Sequence, residues 1–307
     1  MKPPLLAVLS LNRQRFERSV AGQSTLSRAD RTTPEANCEE PEMTRRIALI
    51  GAGAIGTSLI ERLARTPDAP QVTDVLLRPG RSLGSAGTQP KVHHSMDSLS
   101  STAPDLLVEC AGQGAVRDYV PAALVAGLDV VITSVGALAD DELRLEISRK
   151  AQDFGGRARI CSGAVGGLDI LAAARLAGLD RFDYTARKPP RAFGGTAAEN
   201  VVDLGHLQER HTLFEGTADE AARAYPKNAN VAMTLALAVA TPTLPTVRIV
   251  ADPHVETNTH EISVSGYFGS FEMKLENAPS PDNPKTSFLT ILSLERIIRS
   301  LDDGITI

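Results

Sequence analysis

The 307-residue chain has little of what several large protein classes depend on. It holds three cysteines, Cys38, Cys110 and Cys161, far apart and with no C-x-x-C spacing. That spacing argues against a disulfide framework or a zinc site, and matches reduced thiols in a cytoplasmic protein; no metal-ligating constellation is read. No apolar run approaches the roughly 20 residues that span a bilayer, so no membrane partner is expected. There is no polybasic stretch, and the formal net charge is −5. Proteins that follow a phosphate backbone carry a basic face, so no nucleic acid is expected as a partner. What remains is an ordinary globular composition, 42% hydrophobic and 22% charged, on a chain long enough for two domains of roughly 100–150 residues each.

Residues 1–42 stand apart. Pro3–Leu9 is a short apolar run followed by Arg13, Arg15 and Arg18, and residues 20–42 are rich in Ser, Thr, Arg, Glu and Pro with no apolar period. The expectation is a disordered N-terminal extension, or one lying upstream of a true start at Met43.

From Arg46 onward the pattern alternates. Ile47–Ile50 is an apolar run suited to a strand buried on both faces. Helical periodicity follows, with Ile55, Leu59, Ile60 and Leu63 on one face. Further strands are expected at 72–77, 92–94, 105–110, 129–133 and 158–161. Helices are expected up to about Ala126 and over 140–154, the latter stopped by Gly155-Gly156. Strands alternating with helices give an α/β class: a Rossmann-type, doubly wound parallel sheet over residues 43–162. After Ser162 the pattern changes to an α+β substrate and dimerisation domain, residues 163–283. It has a helix from Gly163 to about Ala177, a strand at 181–188 and a helical stretch over 218–240 broken near Tyr225-Pro226. Strands follow at 247–250, 261–267 and 271–275, the last two joined by a turn at Gly269-Ser270. A final amphipathic helix, 284–301, should pack back on the first domain, with Asn283 as its N-cap and Pro284 in its first turn.

Gly51, Gly53 and Gly56 have the G-x-G-x-x-G spacing between an expected strand and an expected helix. That is the context in which the spacing marks a dinucleotide site. The first glycine permits the tight turn, the second lets the backbone approach a pyrophosphate, and the third lets helix and strand pack closely. The free N–H groups at Ala54 and Ile55 then face the phosphates. An acidic residue about 20 positions on would hold the ribose 2′-hydroxyl of NAD. Here Leu76-Leu77-Arg78-Pro79-Gly80 stands there. Arg78 could stack on adenine, pair with a 2′-phosphate, or stand in solvent, and the first two readings admit NAD or NADP. Gly112-Gln113-Gly114 and Ser134–Ala137, at the ends of later strands, either line the cofactor or are plain turns.

Several stretches together resemble the L-aspartate dehydrogenase family, whose fold relatives include homoserine dehydrogenase and dihydrodipicolinate reductase. They are the run from Ile47 to Gly56, Ser162–Asp169, Tyr225–Ala232, Asp252-Pro253 followed by Asn258–Ile262, and Asn283–Ser287. The resemblance implies a catalytic histidine at His260, and cofactor contacts at Ala164 and Asn230. It also implies oxidation of L-aspartate to iminoaspartate, released as oxaloacetate and ammonia or passed on to NAD biosynthesis, and a homodimer.

The chemistry of the residues agrees. A hydride leaves the Cα of an amino acid only when the amine is neutral, and a histidine with a pKa near 6.5 suits that proton shuttle. His254, six positions earlier and possibly on the same strand face, competes with His260. Gly163–Gly167 are candidate holders of a carboxylate or of the nicotinamide amide, Lys227, Lys285 and Thr286 are candidate holders of a carboxylate, and Asp169 is expected to stabilise its helix dipole. Two other readings stay open: a related reductase acting on a semialdehyde or dihydropicolinate, and a non-catalytic NAD(P)H-binding redox sensor.

Overall fold

A computed structural model describes residues 45–84, 90–226, 228–240, 245–281 and 283–305. The expectations for residues 1–42, Met43, Lys227 and the Lys285 side chain lie outside what is described.

Strand β1 (Arg46–Ile50) buries four consecutive residues, as a central parallel strand must. Helix α1 (Ala54–Ala64), β2 (Gln71–Leu76), β3 (Lys91–His93), a short α2 (Met96–Ser100) and β4 (Leu106–Glu109) follow. Next come α3 (Gln113–Val125), β5 (Val130–Ile132), a 3-10 turn (Val135–Ala139), α4 (Asp141–Phe154) and β6 (Ala158–Ile160). The α4 boundaries were legible: the Asp140 side chain accepts the N–H groups of Glu142 and Leu143, and Gly155 ends the helix in the left-handed conformation. The six strands are parallel in the order β3-β2-β1-β4-β5-β6, the doubly wound arrangement expected.

Helix α5 (Leu168–Ala174) leads to β7 (Leu179–Lys188), β8 (His211–Gly216), α6 (Ala218–Ala224), α7 (Asn230–Val239), β9 (Thr246–Ala251), β10 (Asn258–Gly266) and β11 (Gly269–Asn277). Their sheet runs β11-β10-β7-β9-β8 and is mixed, since only β7 and β9 are parallel. A small antiparallel pair, β12 (Pro279–Ser280) and β13 (Asn283–Ser287), precedes α8 (Phe288–Arg299).

Helix α8 packs beside α1 on the first sheet, as expected. Ile291, Leu294 and Ile298 join Leu59, Leu63 and the inward residues of β1 in one cluster. Arg62 donates to Glu295 at 2.6 Å, and its guanidinium lies 5.2 Å over the Phe288 ring.

Three local expectations are corrected and one strand is added. The last helix begins at Phe288, not Pro284. Asn283 is not its cap, because Asn283–Ser287 pairs with Pro279–Ser280 and Pro284 biases the residue before it to extended backbone. The glycine segment 163–167 is a turn, with Gly163 and Gly167 at positive φ, so α5 starts only at Leu168, with Asp169 in its first turn. The β10–β11 connection is Tyr267-Phe268, with Gly266 opposite Gly269. Strand β8, absent from the sequence reading, lies at the sheet edge after a polar loop that masks its alternation.

Candidate active site

Gly51 makes the tight turn and Gly56 the close packing expected of them, and Gly53 stands beside open space. Gly51 has φ +92°, and a Cβ on it would stand 2.6 Å from the Ala111 Cβ. A Cβ on Gly56 would stand 2.5 Å from the Gly51 carbonyl oxygen, so helix and turn touch there. A Cβ on Gly53 would meet nothing within 4 Å. Gly53 is the N-cap of α1, so the N–H groups of Ala54 and Ile55 have no intrahelical acceptor. That open, donor-lined approach fits a pyrophosphate.

A cavity of 540 Å³ extends from this turn, lined by Gly51, Gly53, Leu77, Arg78, Arg81 and Tyr119 among others. Arg78 and Arg81 are both exposed, at the end of β2 where an acid would hold a 2′-hydroxyl. Arg81 was not singled out from the sequence, since the fingerprint points to one position and the turn Arg78–Arg81 brings a second. Gly114 lines the same cavity, whereas Gln113 and Gly136 do not. Gln113 and Gly136 instead border a separate open cleft of 540 Å³ in which Arg117 is already paired with Asp140 at 3.1 Å. That cleft contains none of the fingerprint glycines, nor Arg78, Ala164, Asn230 or His260.

Beneath the two loops lies Glu109, fully buried at the end of β4. Its carboxylate accepts N–H bonds from Ala111 (2.9 Å), Gly112 (2.8 Å), Thr133 (3.2 Å) and Ser134 (2.9 Å), and the Ser134 hydroxyl at 2.9 Å. One side chain thus ties the loop after β4 to the loop after β5. An acid ending the apolar run Leu106-Leu107-Val108 was the signal for it.

A second cavity, of 180 Å³, reaches from Ile55 in the first turn of α1 to the mixed sheet. Ala164, Asn230 and His260 all line it, so the structure brings together the three residues picked out by family resemblance. Asn230 is the first residue of α7, and its Oδ1 accepts the Gly136 N–H at 2.9 Å. The Ala164 carbonyl accepts from Asn277 at 2.7 Å.

His260 is 4% exposed on β10, opposite Ala186 of β7. Its Nδ1 lies 2.8 Å from the Tyr184 hydroxyl, and the two rings are nearly parallel. Burial, with the nearby positive charge of Lys188, pushes its pKa down to about 3. Burial pushes the Tyr184 phenol upward, so it stays protonated. The other histidines lie elsewhere. His93 is held by Asp74 and Ser98. His254 is exposed in the turn after β9, its N–H bonded to Asp252, and not on a strand beside His260.

Lys188 was missed from sequence. It is 9% exposed, lines the cavity, and donates to Asn228 Oδ1 at 2.8 Å. Burial lowers its pKa to about 8. The signal was present: Phe182, Tyr184, Ala186 and Lys188 alternate along β7, which puts a lysine on the buried face.

A six-stranded doubly wound sheet, a glycine turn open to phosphate and a buried acid–base cluster on an adjoining mixed sheet define an NAD(P)-dependent oxidoreductase. Residues 51–160 match the homoserine dehydrogenase NAD-binding domain family, and residues 169–301 match the aspartate dehydrogenase C-terminal family. The L-aspartate dehydrogenase of Ruegeria pomeroyi is 44% identical over 84% of this chain and 94% of its own. That of Polaromonas sp. is 43% identical over 82% and 96%. The crystal structure of aspartate dehydrogenase from Thermotoga maritima aligns with a TM-score of 0.67 at 28% identity, covering 86% of this chain and 99% of that one. The chain belongs to the L-aspartate dehydrogenase family.

Proposed function

We propose that this protein oxidises L-aspartate to iminoaspartate with NAD(P), the imine then taking up water to give oxaloacetate and ammonia. The observation that carries the reading is a single cavity holding His260 and Lys188 on one side and the first turn of the dinucleotide-binding helix on the other. NAD(P), held at the glycine turn and reaching this cavity, would supply the hydride acceptor for Cα. Everything else falls to the chain.

His260 is neutral at pH 7 because burial disfavours its charged form. As a base it takes a proton from the substrate ammonium, freeing the lone pair that becomes the C=N bond as hydride leaves. It performs this step through Nε2 when Nδ1–H donates to the Tyr184 oxygen, so Tyr184 is a positioning residue. Lys188, aimed by Asn228, holds a substrate carboxylate. That carboxylate also offsets the cation that depresses His260, so substrate binding itself raises the basicity of the histidine.

Gly51, Gly53, Ala54, Ile55 and Gly56 hold the pyrophosphate in this reading, and Ala164 and Asn230 border the nicotinamide. With Asn230 Oδ1 taken by Gly136, its amide N–H groups remain as donors. Arg78 and Arg81 favour acceptance of a 2′-phosphate. Residues 43–162 then serve the cofactor, and residues 163–283 the substrate. Among the described residues, no helix is long and apolar enough to cross a membrane. A cytoplasmic homodimer belongs to the same proposal, and light scattering on the purified protein tests the dimer.

The deciding assay follows absorbance of the reduced nicotinamide with L-aspartate and each cofactor. His260→Ala is expected to lose about 100-fold or more in kcat while retaining cofactor affinity. Near-normal turnover refutes the histidine assignment. A strict NAD preference unchanged by joint replacement of Arg78 and Arg81 with Ala refutes the 2′-phosphate reading.

A further inference from the structure

Helix α8 is 12 residues long, and its N-terminus opens into the cavity that holds His260 and Lys188: Thr286, Ser287 and Thr290 all line it. Ser287 is the N-cap, yet its side chain makes no capping bond and no acidic residue stands in the first turn. Its hydroxyl oxygen has no hydrogen-bond partner although the residue is only 6% exposed. The Phe288 N–H is taken by the Ala278 carbonyl at 3.0 Å. Helix geometry leaves the N–H groups of Leu289 and Thr290 without an intrahelical acceptor. A buried unpartnered hydroxyl costs stability, and this one stands where the partial positive end of a helix favours an anion.

We propose that the first turn of α8, with Ser287 Oγ at its centre, is the subsite for one carboxylate of a dicarboxylic substrate, opposite Lys188, which takes the other. The inference rests on the dehydrogenase reading above and assigns the substrate contacts within it. Two anion-attracting poles in one cavity, with His260 lining the same space, match a short molecule carrying a carboxylate at each end and an amine between. Cofactor phosphates are drawn instead to the first turn of α1. Because α8 is docked on α1 through Arg62, Glu295 and Phe288, this subsite is held in register with the cofactor helix.

The test uses the full chain with saturating NAD⁺, and succinate as an unreactive dicarboxylate, titrated by calorimetry. Loss of one hydrogen bond to a charged group in Ser287→Ala is expected to weaken succinate about tenfold. Ser287→Asp should weaken it further by repulsion, while thermal stability holds because aspartate is a favoured N-cap. NAD⁺ affinity should stay within about twofold in both. Succinate affinity unchanged in both variants, absent already in the wild type, or a loss falling on NAD⁺ instead overturns the subsite. If succinate binds and Ser287→Asp abolishes that binding, but L-aspartate is not oxidised, the subsite stands and the substrate assignment falls.

Discussion

Replacing Lys188 with methionine should make the protein more stable and a worse enzyme. The ammonium is buried with Asn228 as its partner, and its pKa falls from the ordinary 10.5 to about 8. At 1.36 kcal/mol per pH unit, that drop represents about 3 kcal/mol of burial cost carried by the folded state. Methionine fills similar space without charge, and leaving Asn228 unpaired returns about 1 kcal/mol. The variant should therefore gain about 2 kcal/mol at pH 7 by urea denaturation. The sign of the pH dependence follows from linkage. Below pH 8 both folded and unfolded chains hold the proton, and the folded state bears the full cost. Between 8 and 10.5 the unfolded chain holds more protons, so wild-type stability rises with pH. Above 10.5 both are neutral and the advantage of the variant is gone. In the same variant KM for L-aspartate should rise at least tenfold through loss of a charged hydrogen bond, with cofactor affinity unchanged. A Lys188→Met protein that is less stable at pH 7 and keeps its KM refutes the reasoning.

Four further outcomes are expected. Tyr184→Phe removes the 2.8 Å contact to His260. It should lower kcat about tenfold or more in steady-state assays while KM and cofactor affinity hold, and a kcat within twofold of wild type argues against a positioning role. Gly53→Ala should fold like the wild type, since its Cβ meets nothing, but lose cofactor affinity by fluorescence titration. Gly56→Ala, with its Cβ 2.5 Å from the Gly51 carbonyl, should lose about 1–3 kcal/mol of stability. Glu109→Gln puts an amide donor against N–H groups that now donate to a carboxylate. It should cost about 3 kcal/mol and weaken cofactor binding as the two loops loosen, and a melting temperature equal to wild type would count against it.

The sequence alone determined the elements whose signals are local. Four buried residues in a row made β1, glycine spacing made the turn at 51–56, and Asp140 with Gly155 bounded α4. Family-like segments singled out Ala164, Asn230 and His260, which lie 30 or more positions apart in the chain. Their meeting in one cavity was decided by tertiary structure, because pairing of β10 with β7 and docking of α7 against the turn at Gly136 are non-local. The N-cap of α8 was misread for a related reason. Asn283-Pro284 is a sound local start signal, but pairing with Pro279–Ser280 overrides it and moves the helix N-terminus four residues onward, to Ser287 at the cavity wall. The state of the charged groups also came only from the fold. Nothing in the residue types says that His260 is neutral to about pH 3 or that Lys188 is half-deprotonated near pH 8. Both follow from desolvation on the buried face of one sheet, where the low local dielectric works against charge.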